Sequence, residues 1–138
     1  MKKRLPLIDA AREHVARGIP DDLLRFSFRL LQSTRKFGQE HATDASTYLQ
    51  QLLRRLQAVS TLRVAEFRAG KDKSLRAHRH QWHTTTERLG FKHLTEEWDD
   101  HEAWQFQLSA NKHGRVHGIL VDEVFYVVWL DPEHRLYQ

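Results

Sequence analysis

Three side chains near the C-terminus, His134, Arg135 and Tyr137 in "DPEHRLYQ", bring chemically capable groups within four positions of one another. An imidazole moves protons near neutrality, a guanidinium pairs bidentately with phosphate, and a phenol stacks on a base or acts as an acid. A second group alternates through "KSLRAHRHQWH". If that stretch is a strand, Arg76, His78, His80 and Trp82 share one side and offer cations, imidazoles and an aromatic plate to a nucleic acid. Two imidazoles at i and i+2 can also share a metal ion, but Arg79 stands between them, and no metal or other cofactor is assigned. The step Asp131-Pro132 reads as turn chemistry, because Asp accepts backbone hydrogen bonds and Pro sets the bend.

Periodicity indicates the elements that must carry these groups. "VFYVVWL" is apolar on both sides, as a central strand of a covered sheet should be. It follows "RVHGILV" across a two-residue "DE" turn, and "AWQFQLSA" precedes that across "NKHG", which predicts a three-stranded antiparallel meander. "LLRFSFRLLQ" alternates Phe26, Phe28 and Leu30 with Arg25, Ser27 and Arg29, so a strand is expected there. In "TDASTYLQQLLRRLQAVS", Thr43 or Asp44 can cap a helix whose stripe is Tyr48, Leu49, Leu52, Leu53, Leu56 and Val59. Arg54 and Arg55 face away from that stripe, as solvated residues or as contacts for a nucleic acid. A shorter helix is expected over about 7–17, and "LRVAEFRAG" reads as a short strand ending at Gly70.

The 138 residues suit a single domain spanning 1–138 with one core. Apolar residues make up 40% and charged residues 29%, the balance of an ordinary globular chain. No apolar run is long enough to span a membrane, and Asp9 and Glu13 interrupt any leader-like stretch. With no cysteine, disulfides are excluded and a cytoplasmic setting is expected. A net charge of +4 suits a polyanionic partner such as RNA. Seven of the ten histidines lie from His78 to His117, so mild acid would make that region far more basic.

Taken together, "GRVHGILVDEVFYVVWLDPEHRLY" resembles the last two strands of the RelE/ParE toxin superfamily, and "FSFRLL" followed by "YLQQLLRRL" is similar to its opening strand and helix. The chain departs from that pattern in its extra N-terminal helix and in Asp131-Pro132 ahead of the His-Arg pair. The resemblance implies an α+β fold: an antiparallel or mixed sheet of about four to five strands with helices packed on one face. It implies a RelE-like endoribonuclease that cuts mRNA, usually within the translating ribosome, by attack of the 2′-hydroxyl on the adjacent phosphate. Such cleavage needs a base, an acid and cations, and no metal. His134, Arg135 and Tyr137 are then the catalytic candidates, and Arg115 matches the family's phosphate-binding arginine. An antitoxin protein is the implied partner. The alternatives are a ParE-like inhibitor of another protein, without RNA cleavage, and a basic module that binds RNA or protein.

Overall fold

The computed structural model describes residues 18–109 and 114–137; the helix expected over about 7–17 and most of the "NKHG" turn lie outside the described residues. The chain is α+β, built on one five-stranded sheet. Its strands are β1 (Arg25–Ser27), β2 (His78–Arg79), β3 (Glu102–Gln107), β4 (Arg115–Val121) and β5 (Val124–Asp131). They lie in the order β1-β5-β4-β3-β2. The meander β3–β4–β5 is antiparallel as its pattern predicts, while β1 pairs parallel to β5, so the sheet is mixed. Parallel pairing of β1 requires a crossover, and two helices between β1 and β2 provide part of it.

The longer helix, α1 (Ala45–Val59), starts where Asp44 accepts a hydrogen bond from the Thr47 amide at 3.2 Å. It buries Tyr48, Leu52, Leu56 and Val59 against the sheet. The apolar stripe is narrower than its sequence suggests, because Leu49 and Leu53 remain 40% and 67% exposed. The second helix, α2 (Val64–Arg68), occupies the stretch whose alternation read as a strand. Local capping explains the difference: Arg63 N donates to Glu66 Oε1 at 2.9 Å, and Val64 and Phe67, three apart, both turn into the core. The strand expected from Leu23 to Gln32 contracts to three residues. Beyond it, Gln32 N and Gly38 N reach the Val128 and Leu130 carbonyls singly, at 2.9 and 2.7 Å, without a continuous ladder.

The two faces of the sheet are covered differently. One packs Trp104, Phe106, Leu108, Val116 and Leu130 against α1 and α2. The other is covered by irregular segments around residues 28–41 and 80–101, which pack Phe37, Phe91, Leu94 and Trp98 over Ile119, Val128 and Trp129. A register shift between His117 and Gly118 breaks the β4–β5 ladder. Only glycine fits at 118, where a Cβ would stand 2.2 Å from the Tyr126 carbonyl oxygen. Among the described residues, no helix is long and apolar enough to cross a membrane.

Candidate functional site

Strand alternation assembles the site. His117 lies opposite Gln105 on β3, and His78 pairs with Gln105 from β2, so His78 and His117 share a face, with His80 two residues further along. On the other side, Arg115 pairs with Asp131 and His117 with Trp129. That face therefore gathers imidazoles, a guanidinium and a carboxylate on the side away from α1 and α2. Gln105 and Gln107 belong to it as well, and their Oε1 atoms are buried without a hydrogen-bond partner among the described residues.

Four of these side chains form a continuous line. Tyr137 Oη lies 2.6 Å from His80 Nδ1, His80 Nε2 lies 3.2 Å from His117 Nδ1, and His117 Nε2 lies 2.9 Å from Asp131 Oδ2. Asp131 also accepts from Arg135 N at 2.7 Å and Leu136 N at 3.1 Å, which folds the tail back over the sheet. The turn itself closes when His134 N donates to the Asp131 carbonyl at 3.3 Å, with Pro132 at its second position. Thr86 clamps the tail from outside, its amide donating to Leu136 O at 2.7 Å and its hydroxyl to Arg135 O at 2.9 Å. The reading of Asp131 as a turn residue is thus half the account, since the same carboxylate terminates the histidine line.

The charge states follow from the surroundings. Burial works to raise the Asp131 carboxyl, but the His117 ring and the two backbone N–H donors outweigh it, and the group is held below its usual range. An ionised carboxylate only accepts, so His117 Nε2 is the donor to it, and His117 Nδ1 is left as an acceptor. His80 Nε2–H then donates to His117, and His80 Nδ1 accepts from the Tyr137 hydroxyl. Burial and the neighbouring His117 and His78 push His80 down to about 2, so it is neutral at rest. Burial also lowers the fully enclosed His117, against the pull of Asp131. Tyr137 is raised by burial, although the Gln81 amide bonds its oxygen and works the other way. At neutral pH all the hydrogen bonds therefore run from Tyr137 towards Asp131.

Packing holds the line rigid. Trp82 stacks on His80 at 4.6 Å and Tyr137 stacks on it at 5.6 Å, while His78 meets Tyr137 edge-on at 5.7 Å. The line reaches the outside at Tyr137, in a cavity of about 300 Å³ lined by His78, Arg79, Gln81, Thr84 and Tyr137.

The candidates named from sequence fall in different places. Tyr137, His78, His80 and Trp82 meet in this cluster. His134 sits in the turn with a left-handed backbone (φ 57°), its ring 6.5 Å from that of Tyr137. Arg115 stands across the β4–β5 ladder from Asp131, partly buried and lowered by that burial, and its charge is coupled to Asp131 and to exposed Arg76. Arg135 turns outward to an ion pair with Glu133. Arg54 and Arg55 ride on α1, which packs on the other face, and Arg55 is committed to Leu108 O at 2.6 Å and Ser74 Oγ at 3.2 Å. His117 was missed as an individual residue, although its place two residues after Arg115 in "RVHGILV" sets both on one strand face. Among the described residues, no group of three or more His, Asp or Glu side chains is arranged to hold a metal ion. Comparison of the chain with protein-family models, curated proteins and solved structures finds no match.

Proposed function

We propose that the protein is a RelE-like endoribonuclease, cutting mRNA by attack of the 2′-hydroxyl on the adjacent phosphate and held inactive by an antitoxin in the cytoplasm. The observation that carries this reading is the Tyr137–His80–His117–Asp131 line, which gives an accessible phenol a buried proton store. An opening strand followed by a leucine-rich helix, and a closing pair of strands ending in the tyrosine turn, also agree with the resemblance.

In the resting line the Tyr137 proton points inward to His80, and its oxygen, which already accepts from the Gln81 amide, has a second lone pair for a group in the cavity. A 2′-hydroxyl placed there gives its proton to Tyr137 Oη as the Tyr137 proton passes to His80 Nδ1. The proton on His80 Nε2 moves to His117 Nδ1. The line has gained one proton, carried by a His117 imidazolium against the Asp131 carboxylate, and Tyr137 has stayed neutral throughout. With that extra proton the Tyr137–His80 and His80–His117 bonds reverse while His117 Nε2 keeps donating to Asp131, so the Tyr137 hydroxyl now points outward and donates to the departing 5′-oxygen. Because burial lowers His117, the stored proton is given up readily. One phenol thus serves as base and then as acid, and Arg79, which lines its cavity, supplies positive charge there.

The test is cleavage of a defined mRNA with translating ribosomes and, in the presence of a chelator, without them. Tyr137→Phe keeps the ring packing and removes the relayed proton, so the rate should fall by roughly 10²- to 10⁴-fold. Products should end in 2′,3′-cyclic phosphate. Cleavage by Tyr137→Phe at the wild-type rate would end this reading.

One observation favours the ParE-like alternative. Leu49 and Leu53 stand exposed on α1, away from the phenol, where a protein target could be gripped without any chemistry. Toxicity that survives Tyr137→Phe but is lost in Leu53→Glu would select that reading instead.

A further inference from the structure

The loop-covered face carries a second concavity, of about 280 Å³, with an aromatic floor and a cationic rim. Trp129 forms the floor and is fixed in place. Its indole N–H donates to Gln32 Oε1 at 2.8 Å, and Phe37 stacks on it at 4.5 Å and 16°. Exposed His93 faces the same indole at 27° from parallel, but at 6.2 Å, a wider separation than a direct stack. Burial keeps His93 below its ordinary value, which favours a neutral ring. Two carbon–carbon contacts need roughly 7 Å, so an outward shift of about 1 Å at His93 admits a planar ring between them.

Around this slot stand Arg35, Lys36 and Lys92, with Glu87 the one acid among the described lining residues. Lys36 is held by Glu87 and by Thr86 Oγ1, the latter at 3.0 Å. Arg35 and Lys92 are exposed. With Oε1 of Gln32 engaged by Trp129, its NH₂ donors remain to meet a carbonyl on a ring edge. An inorganic anion has no use for the aromatic floor, and an apolar ligand has none for the cations. A planar ring bearing a phosphate uses both. The pocket also adjoins the proton line, since Trp129 pairs with His117 across the β4–β5 ladder and Phe37 meets His117 edge-on at 6.1 Å.

We infer that this pocket binds one nucleotide unit of a single-stranded RNA, its base stacked on Trp129 beside His93 and its phosphate held by Arg35, Lys36 and Lys92. The inference builds on the nuclease reading, for which the pocket is a subsite behind His117, at the buried part of the line.

The full-length protein should be titrated separately with each nucleoside 5′-monophosphate and with inorganic phosphate, following tryptophan fluorescence and the His93 ring resonances. At least one nucleotide should bind, quench fluorescence and shift His93. Its affinity should fall by about tenfold or more in Arg35→Ala/Lys92→Ala, exposed substitutions that leave the unfolding midpoint in place. In RNA cleavage the same variant should raise KM and keep kcat. Nucleotide binding equal to that of inorganic phosphate, or unchanged in the variant, would overturn the subsite. Nucleotide binding without any RNA cleavage would uphold the pocket and remove the nuclease reading. Cleavage with an unaltered KM in the variant would do the reverse.

Discussion

The two faces of this sheet are buried to similar depth but by different means. Under α1 and α2 the sheet presents Phe106, Val116, Phe125 and Val127 to Leu52, Leu56 and Phe67, with close ring contacts such as Phe106–Phe125 at 5.3 Å. On the far side, irregular segments cover His117 and Asp131 as completely as any phenylalanine. Burial on the helical side removes apolar surface from water and stabilises the fold. On the loop side the same removal of water perturbs four titratable groups and orders the protons between them. Helices satisfy their own backbone and so bring apolar side chains cheaply. Irregular segments leave donors and acceptors free, and here they fix the C-terminal tail and its tyrosine through Thr86, Arg135 and Leu136.

The contrast can be broken from either side. Phe125→Ala, at a fully buried position under the helices, should lower stability by about 3–5 kcal/mol in denaturant unfolding and leave the pH dependence of stability unchanged. Asp131→Ala should lose a similar amount, about 3–5 kcal/mol, because it strands the Arg135 and Leu136 amides and removes the partner of His117. Unlike the phenylalanine variant, it should also abolish RNA cleavage. The pair separates a core that only holds from one that also acts.

Acid sharpens the comparison next. In the unfolded chain His80 takes a proton near pH 6.5, whereas in the fold it does so only near 2. His117 shifts in the same direction. Below pH 6.5 the folded state binds fewer protons, so stability falls as pH falls. For His80 alone the loss is about 2 kcal/mol between pH 6.5 and 5. Asp131 adds nothing in that window, since its lowered carboxyl withdraws stability only below about pH 4. Denaturant midpoints should therefore drop from pH 7 to pH 5 in the wild type and drop less in His80→Gln, where His117 still contributes. The smallest effect belongs to the exposed side of α1: Leu53→Gln should change stability by no more than about 0.5 kcal/mol, and a larger loss would show that this face is covered.

Sequence patterns conveyed some of this and withheld the rest. The strands β3, β4 and β5 were legible because alternation and the two-residue turn at Asp122-Glu123 are local signals. The Leu49 and Leu53 positions were misjudged for a physical reason: helical spacing shows that an apolar stripe exists but not how wide a surface it meets. Val64–Arg68 was misread because five residues carry too little periodicity to tell a helix from a strand, and the Arg63–Glu66 capping contact decided it. Tyr137 and His80 could be singled out as capable residues, but not as partners, for they lie 57 positions apart.

The sequence by itself determined the side-chain chemistry, the closing meander and the amphipathic helix, since each is written within a single turn, strand or helix repeat. Only the tertiary structure decided that β1 runs parallel to β5, and that four residues from just after β2, from β4, from the end of β5 and from the tail share one line of protons. It decided their charge states as well, because the burial that keeps His80 and His117 neutral is completed by residues distant in the chain, Tyr137 over His80 and Phe37 over His117.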